Sequence, residues 1–268
     1  MTDNSEKKYI NTGRSKFGFS RFQTFAQCPR KYAYDYISKE KVVYPFSKSL
    51  EKGSMVHVGL AHHYGNLKEN NAYIEPIQSI EKYSDELNGF VDEIEECKNK
   101  SIEAVEQYIE NYIEDDFEIL HIEKEFEYNV APARRLTQRV DLIYRDKRTN
   151  EIVFCDHKTT SRYSENIKDN YRMSGQFIGY HYIAKQFFGI ENPKILLNVI
   201  VLTKQVRFYR HFLQLSTHAI NNYPKMICHI FNLMDNYSEN VEEYPMIITE
   251  FSCNGKYGRC PHFDKCSQ

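Results

Sequence analysis

Two carboxylates and one ammonium lie close together between residues 138 and 160. Asp141 sits among Val140, Leu142, Ile143 and Tyr144, and Asp156 is separated from Lys158 only by His157. The pattern predicts two strands, roughly 138–145 and 151–158, joined by a polar turn. The second strand is apolar on both faces through its middle, as strands buried within a sheet are. Side chains alternate along a strand, so Asp156 and Lys158 share one face and His157 takes the other. With Asp141 at the same height on the neighbouring strand, the three charged groups converge. Such a group can hold a divalent cation beside a fixed positive charge, which suits phosphodiester hydrolysis. Taken alone, Asp-X-Lys is just as readily a salt-bridged strand end, so the rest of the chain has to decide.

Cysteine usage gives a second constellation. Of the seven cysteines, Cys253, Cys260 and Cys266 fall within the last 16 residues. Gly255, Gly258 and Pro261 keep the backbone between them irregular. Clustered thiols in a chain with no secretory pattern point to metal ligation rather than disulfides. Three is one short of the usual four. The fourth ligand is sought among Cys28, Cys97, Cys155, Cys228 and His262. Cys155 falls in the buried strand and Cys97 in an acidic helix, so both read as core thiols. Cys28 precedes Pro29 at a helix break and is the best placed.

The elements that must position these groups follow in chain order. Residues 1–17 are polar and expected to be loosely held. Ser20 and Gln23 form a capping-box pattern opening a first helix, and Pro29 starts a second. A helix over about 50–67 carries His57 in its apolar region, where a hydrogen-bonded core histidine is the ordinary outcome. His62 and His63 read as surface residues. Residues 76–120 read as helical, longest over 91–118, with Val91, Ile94, Ile102, Val105, Ile109, Tyr112 and Ile113 as the apolar stripe. Strand character returns at 121–130, where Glu123, Glu125 and Glu127 alternate with other residues. One of these acids can face a site on the next strand, although most such residues face solvent. A helix over about 172–188, closed by Gly189, carries Gln176 and Tyr180 four apart on one face. Strands at 194–202 and 206–215 and a helix over about 216–236 complete the order.

Composition narrows the class. The chain has 268 residues, 41% of them hydrophobic, with 21 Tyr, 17 Phe and no Trp, enough for a packed core. The first residues have no apolar run and no stretch is long enough to span a bilayer, so a cytoplasmic protein without membrane contact is expected. Net charge is −2. Residues 75–127 hold 18 acidic and 4 basic residues, a balance of −14, which leaves +12 for the rest. A basic remainder suits a nucleic-acid partner, although charge blocks are also ordinary solvated helix faces. No phosphate-binding Gly-X4-Gly-Lys-Ser/Thr loop is present, so no motor is expected.

Taken together the motifs resemble the RecB-like branch of the PD-(D/E)XK nuclease superfamily, and within it the iron–sulfur members such as the AddB-type nuclease domain and small CRISPR-associated and phage exonucleases. The likeness runs in order from Ser20 to Cys266. Cys28-Pro29-Arg30-Lys31-Tyr32 resembles the helix with the first cluster cysteine. Gly53 to His57 resembles the motif with a metal-binding histidine. Val140-Asp141 resembles the first acidic motif, Asp156-His157-Lys158 the Asp-X-Lys core, and Gln176 to Tyr180 the Gln-X3-Tyr motif. The tail resembles the three-cysteine arrangement. A small residue usually stands three before the first Asp, and here it is Gln138.

The resemblance implies an α/β, restriction-endonuclease-like mixed sheet flanked by helices, with a helical insert and a cysteine-cluster tail. It implies one nuclease domain over 1–268: N-terminal helices at 20–70, the acidic insert at 74–120, the core at 121–215 and the C-terminal helix and tail at 216–268. It implies a metal-dependent DNA exonuclease of repair, recombination or phage- and CRISPR-related processing. His57, Asp141, Asp156 and the backbone carbonyl of His157 are then ligands for Mg²⁺ or Mn²⁺; the resemblance does not decide between Glu123 and Glu125 as accessory acid, and we favour Glu125. Lys158 serves the nucleophile and phosphate, and Gln176 and Tyr180 touch DNA or orient Lys158. Cys28, Cys253, Cys260 and Cys266 hold a structural 4Fe-4S cluster. DNA ends or single strands are the implied partners, with a helicase or recombination protein beside them, in a bacterial or phage-infected cell. Two competitors stand: a catalytically silent DNA-end-binding module on the same fold, and the same nuclease with zinc in the cysteine site.

Overall fold

A computed structural model describes residues 7–268 except 14, 16, 41–43 and 256–257. Parts of the polar N-terminus and of the tail loop therefore lie outside the described residues. The order is α1 (Phe19–Gln27), α2 (Pro29–Tyr36), α3 (Lys48–Lys68), α4 (Pro76–Asp85), α5 (Val91–Asn111), β1 (Phe117–Ala131), β2 (Arg134–Asp146), β3 (Ile152–Thr160), α6 (Gly175–Phe188), β4 (Lys194–Leu202), β5 (Val206–Phe212) and α7 (Thr217–Met234). Short turns of helix and a two-stranded ribbon make up the tail. No described helix is long and apolar enough to cross a membrane.

The five main strands form one sheet in the order β1-β2-β3-β4-β5. Only β3 and β4 run parallel, and α6 makes the crossover between them. β4 is buried from Ile195 to Val201, which is why its sequence reads as a continuous apolar run. One face of the sheet packs Phe154, Leu197 and Val199 against α1, α2, α6 and α7. The other packs Leu142, Cys155, Leu196 and Ile200 against α3, α4 and α5. The sheet is thus an α/β core covered on both sides, with β1 and β5 as its outer strands.

Several local expectations change. α1 starts at Phe19 behind Gly18, without a side-chain cap, and Ser20 lies inside it. Phe19 is drawn into the helix because its ring packs over Gly175 and against Tyr223. The region 76–120 is not continuous helix: α5 stops at Asn111, and Phe117 already pairs with Asp146 in the sheet. Asp115 binds Arg210 at 2.6 Å and Phe117 stacks on Tyr144, so tertiary contacts end the helix early. The buried stripe of α5 is Cys97, Ser101, Ala104, Val105 and Tyr108, whereas Val91 and Ile113 are exposed. His62 is fully buried rather than on the surface: its Nε2 accepts the Ile10 N–H at 2.9 Å, and its Nδ1 lies 2.9 Å from the Val58 carbonyl. The described N-terminal residues are pinned there and through Lys8, which bridges to Tyr73.

Candidate functional site

The site lies in a fork of the sheet. The β2–β3 ladder runs from Arg145↔Ile152 to Leu142↔Cys155 and ends there, while β3 continues beside β4 to Thr160. One step beyond the ladder, Asp141 stands opposite Asp156. Its Oδ2 accepts the His157 N–H at 2.8 Å, taking the place of a ladder carbonyl. Asp156 is fully buried. Its Oδ1 accepts Gln176 Nε2 at 2.6 Å and the Tyr180 hydroxyl at 2.8 Å, both from one face of α6. Its Oδ2 has no aligned hydrogen bond, and its contact is the Lys158 ammonium at 2.5 Å. Lys158 also donates to Gln176 Oε1 at 3.2 Å. Asp156 and Lys158 do share a face, and the His157 ring lies on the other.

His57 enters from α3 and places Nδ1 3.3 Å from Asp141 Oδ2. α3 comes this close to β3 because Gly53 has no side chain; a Cβ there would stand 2.9 Å from Thr159 Oγ1. Glu123 enters from β1. Its neighbours pair as Ile122↔Leu142 and Lys124↔Val140, which puts Glu123 at the position opposite Asp141. One ligand atom each from His57, Glu123 and Asp141 lies within 4.8 Å of the others. Glu125 does not join them. It pairs with Arg139 at 3.9 Å and is half-buried, whereas Glu123 is buried. Of the two acids weighed from sequence, the structure thus brings Glu123 and not the favoured Glu125 beside Asp141.

Electrostatics follow from burial. Desolvation, and then the Asp156 charge, push Asp141 up to about 6 against the pull of His57 and Lys158. Burial and the Asp141 carboxylate hold Glu123 well above the carboxylate range, opposed by Arg139. Lys158 is pushed down by burial, but the Asp156 and Asp141 carboxylates outweigh that and raise it, so it stays charged. The result is a crowded set of acids whose mutual repulsion a cation would relieve. The nitrogen-and-oxygen donor set fits a hard or borderline divalent ion. The Asp156 Oδ2 that Lys158 contacts lies beside it.

A buried polar network behind the site was not foreseen. His157 Nδ1 lies 2.7 Å from Asn198 Nδ2, which also donates to the Tyr108 hydroxyl at 2.9 Å. Tyr108 meets the Tyr64 hydroxyl at 3.0 Å and receives Arg210 at 3.1 Å, and Arg210 is clamped by Asp115. The His157 ring stacks on Tyr64. Burial first, and then the charges of groups such as Arg210 and Lys158, push its pKa well down, so the ring is neutral and accepts from Asn198. Asn198, a lone polar residue inside an apolar strand, was the signal available for this network. Gln138 was also missed as a positioning residue. It donates to the Gln176 carbonyl at 2.6 Å and holds the first turn of α6, which carries Gln176 and Tyr180.

The tail folds back on the α1–α2 junction. Arg30 donates to the Tyr244 carbonyl at 2.7 Å and pairs with Glu242, and Ser252 Oγ donates to the Gln27 carbonyl at 3.1 Å. Cys28 stands between α1 and α2 as the N-cap of α2. Burial, then the neighbouring sulfurs of Cys260 and Cys28 and also that of Cys253, push the Cys266 thiol up. All four are free thiols. The charges of these sulfurs bear on one another, so the two ends of the chain bring four thiols into one neighbourhood, though among the described residues no three of them are gathered as closely as His57, Glu123 and Asp141 are. His262 is committed elsewhere, with Nε2 at 2.7 Å from Asp35 and its ring stacked on Tyr34. Cys97 and Cys155 are buried in the core away from this group.

Residues 16–220 match the family model of the PD-(D/E)XK nuclease superfamily, and the chain belongs to that superfamily. Among solved structures it is similar to a candidate exonuclease from Eubacterium rectale, at 12% identity and a TM-score of 0.48, over 82% of this chain and 81% of that one. It is also similar to SSO0001, at 16% identity and a TM-score of 0.33, over 85% of this chain and 98% of that one. No curated protein matches it.

Proposed function

We propose that this nuclease is a RecB-like, metal-dependent DNA exonuclease of repair, recombination or phage-related DNA processing. The observation that carries the reading is the convergence of His57, Glu123 and Asp141 beside the Asp156–Lys158 pair. His57, Glu123 and Asp141 would hold Mg²⁺ or Mn²⁺, with Asp156 Oδ2 and the His157 carbonyl completing the set. A divalent ion there supplies positive charge against the scissile phosphate and lowers the pKa of water. The chain's own groups do the rest. Lys158 presents an ammonium fixed by Asp156 and Gln176, so it stabilises phosphate charge without reorganising. Tyr180 and Gln176 hold the Asp156 carboxylate in one orientation. His157 anchors Asp141 through its N–H, and its ring ties β3 to the network behind.

Cys28, Cys253, Cys260 and Cys266 would hold a structural 4Fe-4S cluster that joins the two ends of the chain. A zinc ion on the same thiolates is the competing occupant. DNA ends or single strands are the proposed substrate, with a helicase or recombination protein as partner.

The test uses end-labelled linear DNA with Mn²⁺. Asp156→Ala and Lys158→Ala should each lower degradation by about 100-fold or more, the scale for removing a preorganised electrostatic group. Circular dichroism should show both variants folded. Full activity in either one refutes the site. A wild-type protein that binds DNA ends and never cuts them makes the silent end-binding module the correct reading.

A further inference from the structure

β5 is an outer strand of the sheet, and one face of it carries rings that the chemistry above does not use. Tyr163, in the loop after β3, stacks on Tyr209 with centroids 3.8 Å apart and planes 8° from parallel. His211 lies nearly parallel to both, 6.4 Å from Tyr209 and 6.1 Å from Tyr163. Its Nε2 is 3.2 Å from the Tyr163 hydroxyl, which fixes the loop ring over the strand rings. All three residues are half-buried, and among the described residues no further ring stacks on Tyr163.

The sheet register places this stack relative to the site. Lys158 pairs with Val199 and Val199 with Tyr209; Asp156 pairs with Leu197 and Leu197 with His211. Residues in one row across a sheet point to one face, and strands are spaced about 4.8 Å apart. The rings therefore stand about 10 Å from Lys158 and Asp156, on the face those residues use. Several cations lie near them, and one carboxylate, Glu165, bears on Tyr163. Arg162, Lys168 and Arg207 form no ion pair among the described residues, and the Lys168 charge bears on His211. Arg207 shares the strand face of Tyr209 and His211. Arg172, the fourth cation nearby, is held by Asp169 and the Gln214 carbonyl. An open groove of about 570 Å³ follows the outer edge of β5, lined by Arg207, Phe208 and Tyr209 and walled by Gln107, Glu110 and Asn111.

We propose that Tyr163, backed by Tyr209 and His211, is a base-stacking subsite for an unpaired nucleotide of single-stranded DNA next to the phosphate that Lys158 faces. This rests on the nuclease reading and narrows its substrate to strands with unpaired bases. Aromatic platforms beside cations bind single strands without sequence preference, because every base has a π-face to offer. Bases inside a duplex are already stacked and offer none, so a duplex gains nothing from the platform.

Anisotropy of a fluorescent thymidine oligonucleotide tests this in EDTA, where no cleavage occurs. The comparisons are an abasic strand of equal length and a blunt duplex. Wild type should bind the thymidine strand about tenfold more tightly than the abasic one. Tyr163→Phe should keep that preference. Tyr163→Ala and Tyr163→Leu should lose it while binding the abasic strand as wild type does. Melting curves show which variants are folded, and Tyr163→Leu, which keeps apolar cover over Tyr209, serves if Tyr163→Ala is not. No preference in wild type, an undiminished preference in Tyr163→Leu, or tighter binding of the duplex overturns the subsite. Mn²⁺-dependent degradation by the same wild-type preparation separates the two readings. Cleavage without a stacking preference removes the subsite and leaves the nuclease; neither binding nor cleavage removes both.

Discussion

Glu123 and Asp141 share one small volume, and each makes the other's charge more costly. If they are joint ligands, Glu123→Gln should cut Mn²⁺-dependent cleavage by about 100-fold. Glu125→Gln, whose side chain only meets Arg139 at the edge, should stay within about twofold, as surface changes do. Equal losses in both variants would rule out this assignment. Asp141 gives a second prediction with a defined sign. Its carboxyl is raised from 3.8 to about 6, so the folded chain holds that proton more tightly than the unfolded one. The stabilisation this provides is full below about pH 4 and is lost as pH rises through about 6. The buried imidazoles of His62 and His157 and the half-buried one of His63 are shifted down and carry the opposite sign, so a raw melting profile mixes the two. The difference between Asp141→Asn and wild type isolates the carboxyl. Without metal, Asp141→Asn should melt higher than wild type near pH 7, and that advantage should vanish near pH 4. Mn²⁺ should stabilise only wild type, and more at pH 7 than at pH 5, because ligation needs deprotonated carboxyls. Asp141, Asp156 and Lys158 were legible in sequence because strand alternation alone places them. Glu123 was not. The β1–β2 turn is short, but a bulge between Asn129 and Ala131 shifts the register by one, and without it Lys124 would face Asp141. The φ of 47° at Glu123 breaks the alternation once more.

α6 is the element that sets the geometry of Asp156, and it is itself set by Gln138. Gly179 lies where the Gln138 side chain crosses the helix; a Cβ there would stand 1.9 Å from Gln138 Oε1 and 2.7 Å from the Tyr128 hydroxyl. Helix propensity favours alanine over glycine by about 1 kcal/mol. Overpacking costs about 1–3 kcal/mol and should win here. Gly179→Ala is therefore expected to lower stability in chemical denaturation and to lower activity, because Gln176 and Tyr180 move with the helix. In a Gln138→Ala background the cost should shrink, a coupling that a double-mutant cycle reads directly. Additive effects would show that the two residues do not meet. The departure from a small residue at 138 was visible in sequence, but its partner at 179 was not, since the contact joins a strand to a helix 41 positions on. Periodicity located α3, α6, β3 and β4 because each buries a regular pattern. It misplaced the end of α5, where Asp115 and Phe117 are claimed by Arg210 and Tyr144 across the sheet. It also missed the start of α1, which Phe19 sets by packing on Gly175.

Across the whole molecule the charge separation seen in sequence becomes a spatial one. α4 and α5, with nine of the 18 acids of residues 75–127, cover one face of the sheet, while α6, Lys158 and the β5 rings occupy the other. A polyanionic strand approaching the second face meets Arg162, Lys168 and Arg207 rather than the acidic helices. Binding to DNA should accordingly weaken steeply with salt. The same architecture brings the chain's ends together. The tail is held to α1 and α2 by a few hydrogen bonds, the half-exposed Arg30–Glu242 pair and the Asp35–His262 contact. The half-exposed Arg30–Glu242 pair contributes about 0–1 kcal/mol, and only the Asp35–His262 contact is buried. Exposed Ile248 and Phe251 in the same segment add little burial. A metal shared by Cys28, Cys253, Cys260 and Cys266 would instead close a loop of more than two hundred residues. By analogy with disulfides, restricting the unfolded chain over so long a loop is worth on the order of 4–5 kcal/mol. Anaerobically purified wild type should then absorb near about 400 nm, the signature of an iron–sulfur cluster. Cys28→Ser and Cys266→Ser should each lose that band, melt lower, and expose the segment 236–250 to limited proteolysis. Cys228→Ser, outside the group, should do none of these. A colourless, zinc-bearing wild type would replace iron with zinc and leave the tie standing. Cysteine variants that melt and resist protease as wild type does would show that hydrogen bonds alone hold the tail.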